Sequence, residues 1–232
     1  MKTILTLLFG LYLLPARAAD LYANTAIIRD LDGYTNVRAT PTRQGQILLR
    51  LRENQVFFFD PEEYEQHQEW ITVWVAPDRF NTQPVGDAAD ASYHTQGYVH
   101  RSRLQTLLSL PAYRGPEFRI RYELVPFRAA AHTVDRSQGW VEIKDVPYAW
   151  GVDGHMPRTE IRAVRATVQG QAVPVPRRLL AGLFEAPQPT DVFRRGNTFF
   201  VVQQNGDGAG GYTLVWVFTK AGLQQRLVGN FT

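Results

Sequence analysis

The run Gly206-Asp207-Gly208-Ala209-Gly210-Gly211 has the glycine spacing G-x-G-x-x-G used to cradle a pyrophosphate. That chemistry needs a strand before the run and a helix after it, whose first amides meet the anion. Here Tyr212 to Phe218 alternates like a strand, so the run is expected to be a hairpin loop. Read as a calcium loop from Asn205, the place of the bidentate acid falls on Trp216, which has no ligating oxygen. Only a loose site built from carbonyls at 205–211 would suit that ion.

The histidines are His67, His94, His100, His132 and His155, without the spacing H-E-x-x-H that puts two of them on one helix face. His155 stands out because Asp153 and Met156-Pro157 flank it after Trp150-Gly151, a pattern expected to form a turn. After Ala18 the serines are Ser92, Ser102, Ser109 and Ser137, and none lies in G-x-S-x-G. Ser102 lies near His100 but between Arg101 and Arg103, where the end of a strand with solvated arginines is expected. No pair of carboxylates stands out for glycoside hydrolysis, although their separation is spatial rather than sequential. The chain has no cysteine, which excludes thiolate nucleophiles, iron–sulfur ligation and cysteine zinc sites. The expectation is a protein without catalytic residues, cofactor or metal.

Recognition fits the residue supply better. Tyr34, Tyr64, Trp70, Trp74, Tyr93 and Tyr98 are the aromatic candidates, and Asn36, Arg38 and Glu63 are polar anchors among them. Peptide grooves use this mixture of aromatic walls and a few polar groups. The expected binding residues are Tyr34, Asn36, Arg38, Trp70 and Tyr98. By alternation Trp70 and Trp74 share one face of a strand, while Ile71 and Val73 share the other.

The elements that must position these side chains are β-rich. Asp32 to Pro41 combines turn residues with a short polar strand, and apolar runs follow at Ile47 to Leu51 and Val56 to Phe59. Gly33 is suited to a positive φ, and Pro41 withdraws a backbone donor. Glu62, Glu63, Glu65 and Glu69 make an acidic stretch expected to be a solvated loop. Trp70 to Val75 is a β-branched strand, Pro77 to Ser92 an exposed excursion, and Gly97 to His100 a return to the sheet.

The chain opens with Met1-Lys2, an apolar run from Ile4 to Leu14, and Ala16-Arg17-Ala18. This is the pattern of a secretory leader cleaved after Ala18, leaving no membrane span. Without Lys2 and Arg17 the formal net charge falls from +3 to +1. So even a balance gives no polybasic tract and argues against a nucleic-acid partner. Boundaries are expected at 1–18, 19–110 and 111–232, since Pro111 and Gly115-Pro116 interrupt both periodicities. In the last part, 117–125, 139–146, 159–168, 171–175, 198–203, 212–218 and 223–228 read as strands, the first half-solvated. Val175 to Phe184, with Pro176 in its first turn, reads as the one short helix.

The order DGYTNVRATP, GQILLRLRENQVFFF, WITVWV and GYVHRSRL resembles the bacterial SH3-like domain over about residues 23–107. Gly33, Asn36, Val37, Arg38, Pro41, Trp70, Gly97, Tyr98 and Val99 carry the resemblance, with more chain between Phe59 and Gly97 than that family's core requires. The patterns WGVDGHMP, VQGQAVPVPRRLLAGLF and NGDGAGGYTLVWVF resemble the small β domains that follow SH3-like domains in some exported bacterial proteins. The fold these imply is mainly β, an SH3-like barrel followed by a second antiparallel β domain. The function implied is an exported, non-catalytic binding protein of the envelope, periplasmic or otherwise extracytoplasmic. Its partner would be a cell-wall peptide, a peptidoglycan fragment or an envelope protein. The rivals are an inhibitor of a toxin or wall hydrolase, motivated by the acidic loop, and a wall-directed hydrolase.

Overall fold

The computed structural model describes residues 24–86, 90–205 and 210–229. The expected leader, residues 1–18, and residues 206–209 of the glycine run lie outside the described residues. The chain is mainly β, in antiparallel sheets. Among the described residues no helix is long and apolar enough to cross a membrane.

The first sheet is made of β1 (Thr25–Ile28), β2 (Tyr34–Arg38), β3 (Ile47–Arg52), β4 (Phe57–Phe59), β5 (Trp70–Val75), β6 (Thr95–His100) and β7 (Leu104–Thr106). Its order is β3-β2-β6-β5-β4-β1-β7, and it curls into a half-barrel. β2 passes from pairing with β3 to pairing with β6 at Arg38, which faces Tyr98. A bulge falls between Val37 and Arg38, and a Cβ on Gly97 would run into the Val37 side chain and the Arg38 carbonyl. Gly33 has the expected positive φ, at 73°, in the turn before β2. The concave face is filled by Ala26, Ile28, Val37, Leu51, Phe57, Phe59, Ile71, Val73, Val75 and Val99.

The remaining strands are β8 (Phe118–Pro126), β9 (Val134–Asp135), β10 (Glu142–Ile143), β11 (Thr159–Val168), β12 (Gln171–Val173), β13 (Asp191–Arg195), β14 (Thr198–Asn205), β15 (Tyr212–Thr219) and β16 (Gly222–Gly229). They form a three-stranded sheet β12-β11-β8, a four-stranded sheet β13-β14-β15-β16 and the β9-β10 pair. The four-stranded sheet is the middle layer. Phe199, Val201, Leu214, Trp216 and Phe218 pack toward the three-stranded sheet, with Phe118, Tyr122, Val164 and Val168. The alternate residues Phe200, Val202, Val215 and Val217 pack toward the half-barrel, against Ile27, Phe58 and Trp74. Covering on both faces explains why β14 and β15 read as nearly unbroken apolar runs. Each fully buried phenylalanine is worth about 1.5–3 kcal/mol relative to exposure.

Three expectations are corrected. The short helix, α1, is at Pro61–Glu65 in the acidic stretch. Asp60 caps it by accepting from the amides of Glu62 (2.9 Å) and Glu63 (3.1 Å), and Pro61 stands in the first turn. The segment 175–184 instead holds only a 3-10 turn, Arg177–Leu179, and then bridges other strands through Leu183 and Phe184. The excursion after Pro77 is not all exposed: Asn81, Pro84, Val85 and Gly86 are buried. The Arg226 amide donates to Arg79 O (2.8 Å) and the Val85 amide to Val228 O (3.3 Å), so the excursion pairs with the outer edge of β16.

Candidate functional site

Trp70 and Trp74 share one face of β5 as the alternation required, but they meet different surroundings. Trp74 is 6% exposed in the core between half-barrel and middle sheet. Trp70, past the edge of that contact, is half-buried and opens onto a cleft. The cleft has a volume of about 380 Å³ and gathers Tyr34, Asn36 and Arg38 from β2 with Trp70, Asp30, Asp32, Arg43, His100, Ser102 and Arg103.

Each wall is fixed by an identifiable contact. Asp30, its side chain only 5% exposed, binds the Arg103 guanidinium at 2.7 Å. The Arg29 amide donates to Arg103 O at 2.7 Å, so the turn before β2 is tied to the turn after β6. Arg38 Nη1 donates to Gly45 O at 2.7 Å and braces the β2–β3 connection that carries Arg43. Arg50 lies over the exposed Tyr34 ring, 4.8 Å from its centre. Trp70 and His100 are paired across β5 and β6 and meet edge to face at 5.3 Å. The Asn36 Oδ1 atom is buried and has no donor among the described residues.

Of the five residues expected from the sequence, Tyr34, Asn36, Arg38 and Trp70 converge here. Tyr98 does not line the cleft; it is half-buried on β6, paired with Arg38 and Thr72. Asp30, Arg43, His100, Ser102 and Arg103 were not foreseen as site residues. The Asp30–Arg103 contact joins turns far apart in sequence and has no local signature.

His100 links two further groups. Its Nδ1 lies 2.8 Å from Ser102 Oγ and also accepts from the Ser102 amide at 3.3 Å, so Nε2 carries the proton toward Glu69 Oε1 at 3.2 Å. A carboxylate, an imidazole and a hydroxyl in line is the order used to activate a nucleophile. The same contacts cap the 3-10 turn Arg101–Arg103, and Glu69 is 69% exposed, where water screens its pull on the ring. Glu63, from the acidic stretch, turns inward: it accepts from the Thr72 amide at 2.6 Å and the Thr72 hydroxyl at 3.0 Å.

His155 and Asp153 line a separate hollow of about 730 Å³ with Met156, Arg158, Glu185 and Gln204. There Glu185 accepts from the Arg158 and Thr159 amides, which fixes the strand start rather than freeing a carboxylate. Among the described residues no group of three or more histidine, aspartate or glutamate side chains could hold a metal ion.

The cleft therefore gathers three guanidinium groups, two carboxylates and an aromatic wall. That inventory suits a polar ligand carrying N–H donors. No family model matches the chain, and no curated protein or solved structure was found to be similar to it.

Proposed function

We propose that the chain is an exported, non-catalytic binding protein of the cell envelope, with an SH3-like N-terminal domain. Its ligand is a peptide, borne by a wall fragment or by an envelope protein. The observation that carries the reading is the convergence of Tyr34, Asn36, Arg38 and Trp70 on one cleft. The aromatic wall supplies apolar contact at low entropy cost. The inhibitor alternative rested on the acidic stretch from Glu62 to Glu69, of which Glu63 is taken up by Thr72 while Glu62, Glu65 and Glu69 stay exposed.

The test is co-sedimentation with purified wall sacculi. The parent chain is expected to sediment, and Trp70→Ala to weaken binding about tenfold, as loss of an aromatic anchor does. A parent chain that stays in the supernatant removes the wall as the source of the peptide.

A further inference from the structure

The outer face of the three-stranded sheet carries more like charge than its own stability favours. β8 and β11 pair so that Arg121 lies directly opposite Arg165, and Arg119 opposite Thr167. Arg119, Arg121, Arg162 and Arg165 are all exposed, on strands whose inner positions Phe118, Tyr122, Val164 and Ala166 fill the core. Like charges facing each other across a sheet destabilise it. Glu123 answers two of the four, binding Arg162 and, at 3.4 Å, Arg165. Arg119 and Arg121 have no carboxylate partner among the described residues.

The charge extends past the strands. Arg177 and Arg178 line a hollow of about 470 Å³ together with Arg162. The other carboxylates of that hollow, Asp145 and Glu160, are turned onto the two ring nitrogens of His132 at 2.9 and 3.1 Å. A second hollow of about 390 Å³ is lined by Arg121 and Arg165 with Glu123 and Gln188. In a chain with a formal net charge of only +3, six arginines on one face are a segregation of charge rather than a consequence of composition.

We propose that this face docks on an anionic phospholipid membrane. Guanidinium groups bind phosphate oxygens in pairs, and a shallow sheet face spread over two strands and a turn matches a plane of headgroups. Single-stranded nucleic acid would want aromatic platforms among the arginines. The neighbouring outward positions are Glu123, Ala163 and Thr167 instead. The half-barrel and the three-stranded sheet cover opposite faces of the middle sheet, so a membrane-bound molecule holds its cleft away from the bilayer.

The test is co-sedimentation of the full chain with vesicles of phosphatidylcholine alone and of phosphatidylcholine mixed with phosphatidylglycerol. Binding is expected to favour the anionic vesicles. The double variant Arg121→Gln/Arg165→Gln is expected to lose that preference by about tenfold or more without a lower melting temperature. Trp70→Ala is expected to bind vesicles like the parent, which separates this face from the cleft. Equal binding to both vesicle types overturns the proposal, because that is what the apolar run at 4–14 would do. So does a double variant that binds like the parent, or a parent that prefers an oligonucleotide or polyglutamate over anionic vesicles.

Discussion

The side-chain amide of Gln225 makes both backbone hydrogen bonds of Val56: Nε2 donates to Val56 O and Oε1 accepts from Val56 N, each at 2.7 Å. Val56 lies just before β4, where its backbone would otherwise be buried unpaired. One side chain of the middle sheet thus acts as a strand partner for the half-barrel. Gln188 repeats the device at Tyr122, accepting from its amide at 2.9 Å and donating to its carbonyl at 2.8 Å.

The two glutamines predict unequal costs. Gln225→Leu strands a buried donor and a buried acceptor, which costs about 2–5 kcal/mol. Gln188 is exposed, so water replaces it in Gln188→Leu and the cost falls to about 1 kcal/mol or less. Urea unfolding of both variants checks the ranking, and equal destabilisation contradicts it.

Gly229 lies where β16 meets the excursion and β4 closely. A Cβ there would run into the Val85 carbonyl and the Phe58 ring. Gly229→Ala is expected to cost about 1–3 kcal/mol by overpacking, read as a lower melting temperature. An unchanged melting temperature would mean that the excursion from Pro77 does not pack on β16.

Stability is expected to fall in alkali. Burial raises the Tyr122 and Tyr212 hydroxyls well above the usual tyrosine range, and burial pushes the Arg226 guanidinium down to about 10. Above about pH 10 the unfolded tyrosines release protons that the folded ones keep, so stability is lost as pH rises. Arg226 acts oppositely, since the folded form releases its proton first. Two tyrosines outweigh one arginine, and the urea midpoint should drop between about pH 9 and about pH 11. A rising midpoint contradicts this balance.

The line Glu69–His100–Ser102 is assigned to capping rather than chemistry. His100→Ala should cost about 1 kcal/mol, the value of a lost cap, and a fluorophosphonate probe should leave Ser102 unlabelled. Labelling at Ser102 would favour the hydrolase alternative instead.

Strands with a period of two were legible, because β5 and β15 alternate between two surroundings that both exist. β13 was not, since Asp191–Arg195 places only Val192 and Phe193 among polar residues. At α1 clustered glutamates repel one another, yet the cap at Asp60 and the proline after it decide for a helix. At 175–184 the apolar spacing suggested a helix, yet Leu179, Leu180 and Leu183 reach the core from a 3-10 turn and a loop. The excursion from Pro77 has few large apolar residues, yet Val85 joins the core and the Val85 amide pairs with β16, contacts that composition does not register. Tyr34, Asn36, Arg38 and Trp70 stood out as aromatic and polar side chains and share one cleft, but the groups that complete it arrive by contacts across the fold.

The central claim is that the cleft beside Trp70 receives a peptide. It is tested most directly by backbone amide NMR of the chain titrated with a soluble wall-peptide fragment. The account predicts shifts concentrated at residues 30–38, 70 and 100–103, abolished by Trp70→Ala. Shifts concentrated instead around Asp153, His155 and Arg158, or none at saturating fragment, would contradict it.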